Sequence, residues 1–209
     1  MRVKAPARTY HHGDLKPALL DAVEQLVRER GVGQVSLRAV ARRVGVTHAA
    51  SSHHFANKAG LLTAFATQGY MQLAQEVVAA IDEAHPADGP ATLDAVGRGY
   101  VRFALANPGR FEVMFRLDVL NANDPDFVAA SEGAYSLLVN TIARCQSEGF
   151  LGSTDPEVAA VAAWSMVHGL AALWISGRLG ERIRETDPHR LAEKVSRLYV
   201  DAVLRMNAR

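Results

Sequence analysis

Apolar residues recur along this chain at spacings of three and four, with no run of strand-like alternation, so the pattern predicts helices throughout. The first apolar set is Leu15, Leu19, Ala22, Val23, Leu26 and Val27, closed by Gly31. Ser36 stands as an N-cap before a second set, Leu37, Val40, Ala41 and Val44, and Gly45 occupies the stop position that favours a left-handed residue. Thr47 caps a third, short helix over 48–54, with His48, Ala49, Ser51 and Ser52 outward and Val46, Ala50 and Phe55 turned to the helix before it. Asn57 caps a long helix over about 58–84, broken by HPADGP at 85–90. Beyond the break, helices are expected over 91–106, from Pro108 through Phe115, and over 124–148, 155–176 and 188–206. The expected fold class is all-α, with a flexible basic arm at 1–9, a three-helix unit containing a helix-turn-helix at 10–56, and a larger helical bundle at 57–209.

The run Val158–Ile175 is almost wholly apolar and borders on the length of a membrane span. Ser165, His168 and Gly169 interrupt it, and an amphipathic helix with an apolar stripe at Leu191, Val195, Leu198, Ala202 and Met206 follows. Burial on two sides, against the chain's own core and against a second copy, explains such a pair better than a membrane does. A homodimer through the two C-terminal helices is therefore expected.

With 209 residues, 49% hydrophobic and 22% charged, the chain is long enough to bury a core of one or two domains. Cys145 is the sole cysteine, which excludes an internal disulfide and any multi-cysteine metal site. No charged, then apolar, then small-residue leader opens the sequence, so a cytoplasmic location is expected. The net charge of +1 conceals an asymmetry: residues 1–58 carry ten Lys and Arg against four Asp and Glu, and the remainder thirteen against eighteen. A polyanion partner at the amino end follows, and Arg2, Lys4 and Arg8 of the arm are candidates to reach a minor groove.

Leu37, Ala41, Gly45, Val46, Thr47, His54, Phe55, Lys58 and Leu61 stand where TetR-type transcription regulators carry their helix-turn-helix signature. The opening YHHGDL at 10–15 also resembles the start of many members of that family. One position departs: Ser52 replaces a tyrosine that in the family commonly touches a DNA phosphate, so either Ser52 donates a shorter hydrogen bond or His53 takes over. Towards the C-terminus, WSMVHG at 164–169 and NPGRFEVMF at 107–115 resemble segments of the WHG-type regulatory domain found behind some TetR-type readers.

The resemblance implies a sequence-specific regulator, a repressor released from a double-stranded DNA operator by a small, largely apolar effector. His48, Ala49, Ser51, Ser52 and His53 would lie in the major groove, the capping hydroxyls of Ser36 and Thr47 near phosphates, and Arg38, His53 and Lys58 would add charge contacts. Tyr100, Phe103, Phe111, Met114, Phe115, Tyr135, Trp164 and His168 supply aromatic and sulfur-bearing walls with few polar handles. Periodicity does not distinguish a lined cavity from a filled core, and the resemblance favours the cavity.

Other chemistry is poorly served. His11, His12, His48, His53 and His54 are concentrated near the amino end, but adjacent histidines on a helix diverge by about 100°, and no metal or cofactor is expected. Phosphate loop, HExxH, GxSxG and dinucleotide fingerprints are all missing. Trp164 and His168 stand one turn apart without a nucleophile or carboxylate at helical spacing, so the expectation is a non-enzyme. The rival is a helical small-molecule-binding protein or enzyme that has lost DNA binding, a reading supported only by the small, weakly basic reading helix and the pair Ser51 and Ser52.

Overall fold

The computed structural model describes residues 15–205, apart from the side chains of Glu181 and of 203–205. The basic arm with Arg2, Lys4 and Arg8, the histidines His11 and His12, and Met206 lie outside the described residues. The described residues form helices α1 (Leu15–Arg30), α2 (Leu37–Val44), α3 (His48–His54), α4 (Lys58–Ala84), α5 (Gly89–Ala106), α6 (Pro108–Met114), α7 (Pro125–Ser147), α8 (Pro156–Ile175) and α9 (Pro188–Arg205), with three short 3-10 turns and no strand among them.

Local chemistry accounts for the boundaries. The side chains of Ser36, Thr47 and Asn57 accept from the backbone N–H groups of Ala39, Ala50 and Gly60, satisfying donors that the first turn leaves free. Gly45 closes α2 at φ 80°, and the N–H groups of Gly45 and Val46 both donate to the Ala41 carbonyl. Asp88 caps α5 through the Ala91 N–H, starting that helix two residues before the expected position. Asp124 and Asp155 cap α7 and α8, each followed by a proline at the first helical position, where a missing N–H costs nothing.

A continuous apolar cluster runs from Leu19, Val23 and Leu26 of α1 through Leu61, Leu62 and Phe65 of α4 to Val101, Met114 and Ile142 in the bundle. Helices α4 and α5 pack at the centre with α7, while α8 and α9 close one side. The α4–α5 contact is close because Gly99 carries no side chain: a Cβ there would stand 2.9 Å from the Val77 Cα and 3.0 Å from the Ala80 Cβ.

Helix α9 turns a different side to the core from the expected stripe. Ala192 and Ser196 are buried and Tyr199 packs beside them, while Leu198 is 71% exposed and Ala202 is exposed. The reason is the approach of α9 to Gly97 on α5, where the Ser196 Oγ would lie 3.1 Å from an added Cβ and only a small residue fits. Helix α8 is long and apolar enough by composition to cross a membrane, with mean hydropathy 1.7, and it leaves Val158, Val161 and Leu173 exposed.

Gly99→Ala tests the central packing. Alanine ordinarily favours a helix interior over glycine, but here the methyl meets backbone, and the substitution is expected to destabilise the protein by about 1–3 kcal/mol in urea denaturation.

Candidate nucleic-acid interface and ligand cavity

Helix α3 is held at its two ends by its Thr47 cap and by Phe55, which is buried in the α1–α4 core. This presents His48, Ala49 and His53 to solvent, with Ser52 half-buried between turns. The Ser52 Oγ lies 3.3 Å from the His48 Nδ1, so the serine found in place of the aromatic residue orients the histidine one turn before it. The His53 and His54 rings meet edge to face at 5.7 Å.

Two expected contact residues are engaged within the protein. Ser51, expected to face outward, is 0% exposed, and its hydroxyl donates to the His48 carbonyl at 2.8 Å; a helix of seven residues packed along one side has no room for a fourth outward column. Lys58, expected among the charge contacts, donates its ammonium to the carbonyls of Val32 and Gly33, each at 3.1 Å, and so ties the start of α4 to the α1–α2 connection.

Charge on α2 is divided by pairing. Arg43 is held by Glu29 at 2.8 Å and by Gln25 at 3.2 Å. Beside it Arg38 and Arg42, one turn apart and both exposed, make no ion pair with a described residue. Arg42 was not among the expected contact residues, although its i+4 relation to Arg38 was available in the sequence.

In the bundle, a cavity of about 320 Å³ opens between α4, α5, α7, α8 and α9. Tyr100, Phe115, Tyr135 and Trp164 line it, as expected, and Tyr70, Tyr199 and Glu132 join them. Phe103, Phe111, Met114 and His168 do not line it. The cavity follows α5 through Leu93, Val96, Gly97 and Tyr100 and ends there, so Phe103, one turn further on, is buried core. Met114 fills the space left by Gly69 on α4, and His168 sits behind the wall with ring centroids 4.9 Å from Phe111 and 4.6 Å from Phe115. Periodicity places residues on a helix face but does not locate where a void stops.

A hydrogen-bond chain stiffens this wall. The Trp164 Nε1–H donates to the Tyr100 hydroxyl at 3.2 Å, and that hydroxyl is hydrogen-bonded to the His168 Nδ1 at 2.8 Å. Burial lowers the pKa of His168 from the ordinary imidazole value, which favours its neutral form. Burial likewise raises the Tyr100 phenol well above its usual range and pushes that of Tyr70 up to about 12, so both remain un-ionised.

Helix α6 bridges cavity and reader. The Tyr70 hydroxyl donates to the Met114 carbonyl at 3.2 Å, and Phe115, the residue after α6, forms part of the cavity wall. At the other end of α6, the Gly109 N–H donates to the Glu24 Oε1 of α1 at 3.1 Å. Arg110 is 4% exposed, donates to the Phe65 carbonyl and the Gln68 Oε1, stands 4.4 Å above the Phe65 ring, and approaches Asp21 of α1 at 3.8 Å.

A three-helix reader with a capped two-helix turn, joined by a shared helix to a helical bundle with an apolar cavity, defines the class of two-domain helix-turn-helix regulators. Residues 19–65 match the family model described as bacterial regulatory proteins of the tetR family, and residues 93–199 match the tetracyclin repressor-like C-terminal domain. The chain belongs to the TetR family of DNA-binding transcriptional regulators. No curated protein matches it. Among solved structures it is similar to a protein of unknown function from Rhodococcus sp. RHA1, at 29% identity and TM-score 0.79 over 94% of this chain and 99% of that one. It also shares the fold of the fatty acid degradation regulator FadR from Bacillus halodurans, at 17% identity and TM-score 0.74 over 95% and 97% of the two chains. The TetR family transcriptional regulator PfmR from Thermus thermophilus is similar at 24% identity and TM-score 0.68 over 90% and 97%.

The depressed pKa of His168 fixes a sign for pH dependence. Between its unfolded value, about 6.5, and its lower folded value, the unfolded chain takes up a proton that the folded chain refuses, so this group withdraws stability as pH falls through that window. His168→Asn should show a smaller loss of Tm than the parent protein when pH is lowered from 7.5 to 5, measured by calorimetry.

Proposed function

We propose that the protein is a homodimeric cytoplasmic repressor that holds an operator through α2 and α3 and is released from it by a small, largely apolar ligand in the bundle cavity. The observation that carries this reading is the bridge through α6, one end of which forms the cavity wall while the other is bonded to α1 of the reader. His48, Ala49 and His53 are exposed for base edges, Arg38 and Arg42 for phosphates, and the Ser36 and Thr47 hydroxyls, whose oxygens accept cap bonds, retain a hydrogen to donate. The second copy would cover the exposed Val158, Val161 and Leu173 of α8 with Leu198 of α9, and would set two readers about one duplex turn apart, roughly 34–36 Å.

Release follows from differential affinity. A ligand that displaces Phe115 shifts α6, and the Glu24 bond to Gly109 passes the displacement to α1. A full reversal of the population requires the ligand to prefer the released form by about 5.5 kcal/mol.

Selection of bound fragments from genomic DNA, followed by titration at several salt concentrations, tests the DNA half. Replacing Arg38 and Arg42 together by alanine should reduce the salt slope by about two while leaving the preferred sequence unchanged, and His48→Ala should alter the preference itself. Binding with no sequence preference and no salt slope would favour a helical ligand-binding protein that does not read DNA.

Coupling has its own test. Glu24→Ala should bind operator as the parent does but show about tenfold less ligand-induced loss of operator affinity. Undiminished release in that variant would remove the α6 bridge from the mechanism.

A further inference from the structure

We infer that the cavity selects an apolar cation, an amine or quaternary ammonium on a hydrocarbon or aromatic body, and that Glu132 at its mouth makes the selection. The inference rests on the ligand-responsive reading above and concerns the charge of the ligand that reading leaves undefined.

Among the described residues, the lining contains no lysine, arginine or histidine, and Glu132 is its one charged residue. That carboxylate is exposed and forms no ion pair or hydrogen bond with a described residue, so it is not consumed in holding the fold. It stands one helical turn before Tyr135, whose ring lies 5.9 Å from that of Trp164. The lone carboxylate and an aromatic pair therefore occupy the same rim.

Hydrogen-bond donors are nearly exhausted on the walls. The Tyr70 hydroxyl donates to the Met114 carbonyl and that of Tyr199 to the Ala159 carbonyl, while that of Tyr100 is engaged with the His168 Nδ1. The Trp164 Nε1–H is committed to Tyr100, the Ser131 hydroxyl to the Val128 carbonyl, and that of Ser196 to the Asp94 carbonyl at 3.5 Å. Among the described lining residues, Tyr135 alone retains an uncommitted hydroxyl. A ligand carboxylate or phosphate would find a like charge and almost no donor, and burying an unpaired charge is costly. A quaternary ammonium has no hydrogen to donate and a protonated amine can donate to the carboxylate; either is held by that carboxylate and by the negative faces of the rings around it, while its body fills the apolar void.

Three probes with one decyl chain and different heads separate the possibilities: decyltrimethylammonium, decanol and decanoate, titrated calorimetrically into the full chain. The cation should bind at least about tenfold more tightly than decanoate, and Glu132→Gln should bring cation and alcohol within about threefold of each other while leaving Tm unchanged. Ala163→Phe, which fills the cavity, should abolish binding of all three. Decanoate binding as tightly as the cation, or a preference that survives Glu132→Gln, overturns the inference. Decanol that binds and releases operator DNA without any charge preference overturns it too, yet leaves the ligand-responsive reading standing. Binding that persists in Ala163→Phe, or no binding by any of the three, overturns both.

Discussion

One helix has to satisfy two cores at once, and the rest of the molecule is arranged around that constraint. The early turns of α4 place Leu61, Leu62 and Phe65 in full burial against α1, and its later turns place Leu73 and Val77 on the cavity wall. At 27 residues α4 is about 40 Å long. Because its packing is close at both ends, with Gly69 and Gly99 marking where neighbours press against it, a displacement in the bundle is not absorbed within the helix. Arg110 sits at the seam between the two cores. Desolvation lowers its pKa, opposed by the carboxylates of Glu24 and Asp21, and its guanidinium is satisfied by a carbonyl, an amide oxygen and the Phe65 ring. Such a group adds little net stability but fixes register, since a slip of α6 would leave a buried cation without partners.

The cavity shows the same economy of polar groups. Among the rings that line it, Tyr70 meets Phe115 edge to face at 6.0 Å, which places the positive edge of one ring against the negative face of the next, while Trp164 is tilted against Phe115 and Tyr135; behind the wall Phe111 meets Tyr100 edge to face at 6.1 Å. The hydroxyls of Tyr70 and Tyr199 donate to carbonyls, the Trp164 indole donates to the Tyr100 hydroxyl, and that hydroxyl is engaged with His168. What remains towards the void is mostly carbon and π-surface, with charge confined to the rim.

Features decided within one helical turn were legible in the sequence. The caps at Ser36, Thr47 and Asn57, the left-handed stop at Gly45 and the proline starts at 108 and 188 all follow from which side chain satisfies which neighbouring backbone group. Features decided between helices were not. Ser51 and Ser52 have the same chemistry, yet the first is buried against its own turn and the second supports His48. The inward side of α9 is chosen by the missing side chain of Gly97, a residue about a hundred positions away, which admits Ser196 and turns Leu198 out. Arg110 reads as an ordinary surface cation in a sequence, and only the meeting of α1, α4 and α6 makes it a buried one. Four of the eight expected cavity residues line the void and four stand behind it, because helical periodicity gives direction without depth.

Lys58 fixes how the start of α4 is joined to the helices before it. Its ammonium is bonded to the carbonyls of Val32 and Gly33, and the Asn57 cap holds the backbone just before it, so the start of α4 is pinned to the connection between α1 and α2. Phe55 at the end of α3 is buried in the same cluster. The reading helix therefore does not pivot on α4; α1, α2, α3 and the first turns of α4 form one block. That block continues into the bundle through α4 and the apolar cluster they share, and α1 adds polar contacts to α6, chiefly Glu24 with Gly109 and Asp21 with Arg110. A few charge-assisted contacts have more than one acceptable geometry, whereas a packed apolar core has one. The seam between α1 and α6 is accordingly the part of the contact between reader and bundle with the most geometric latitude.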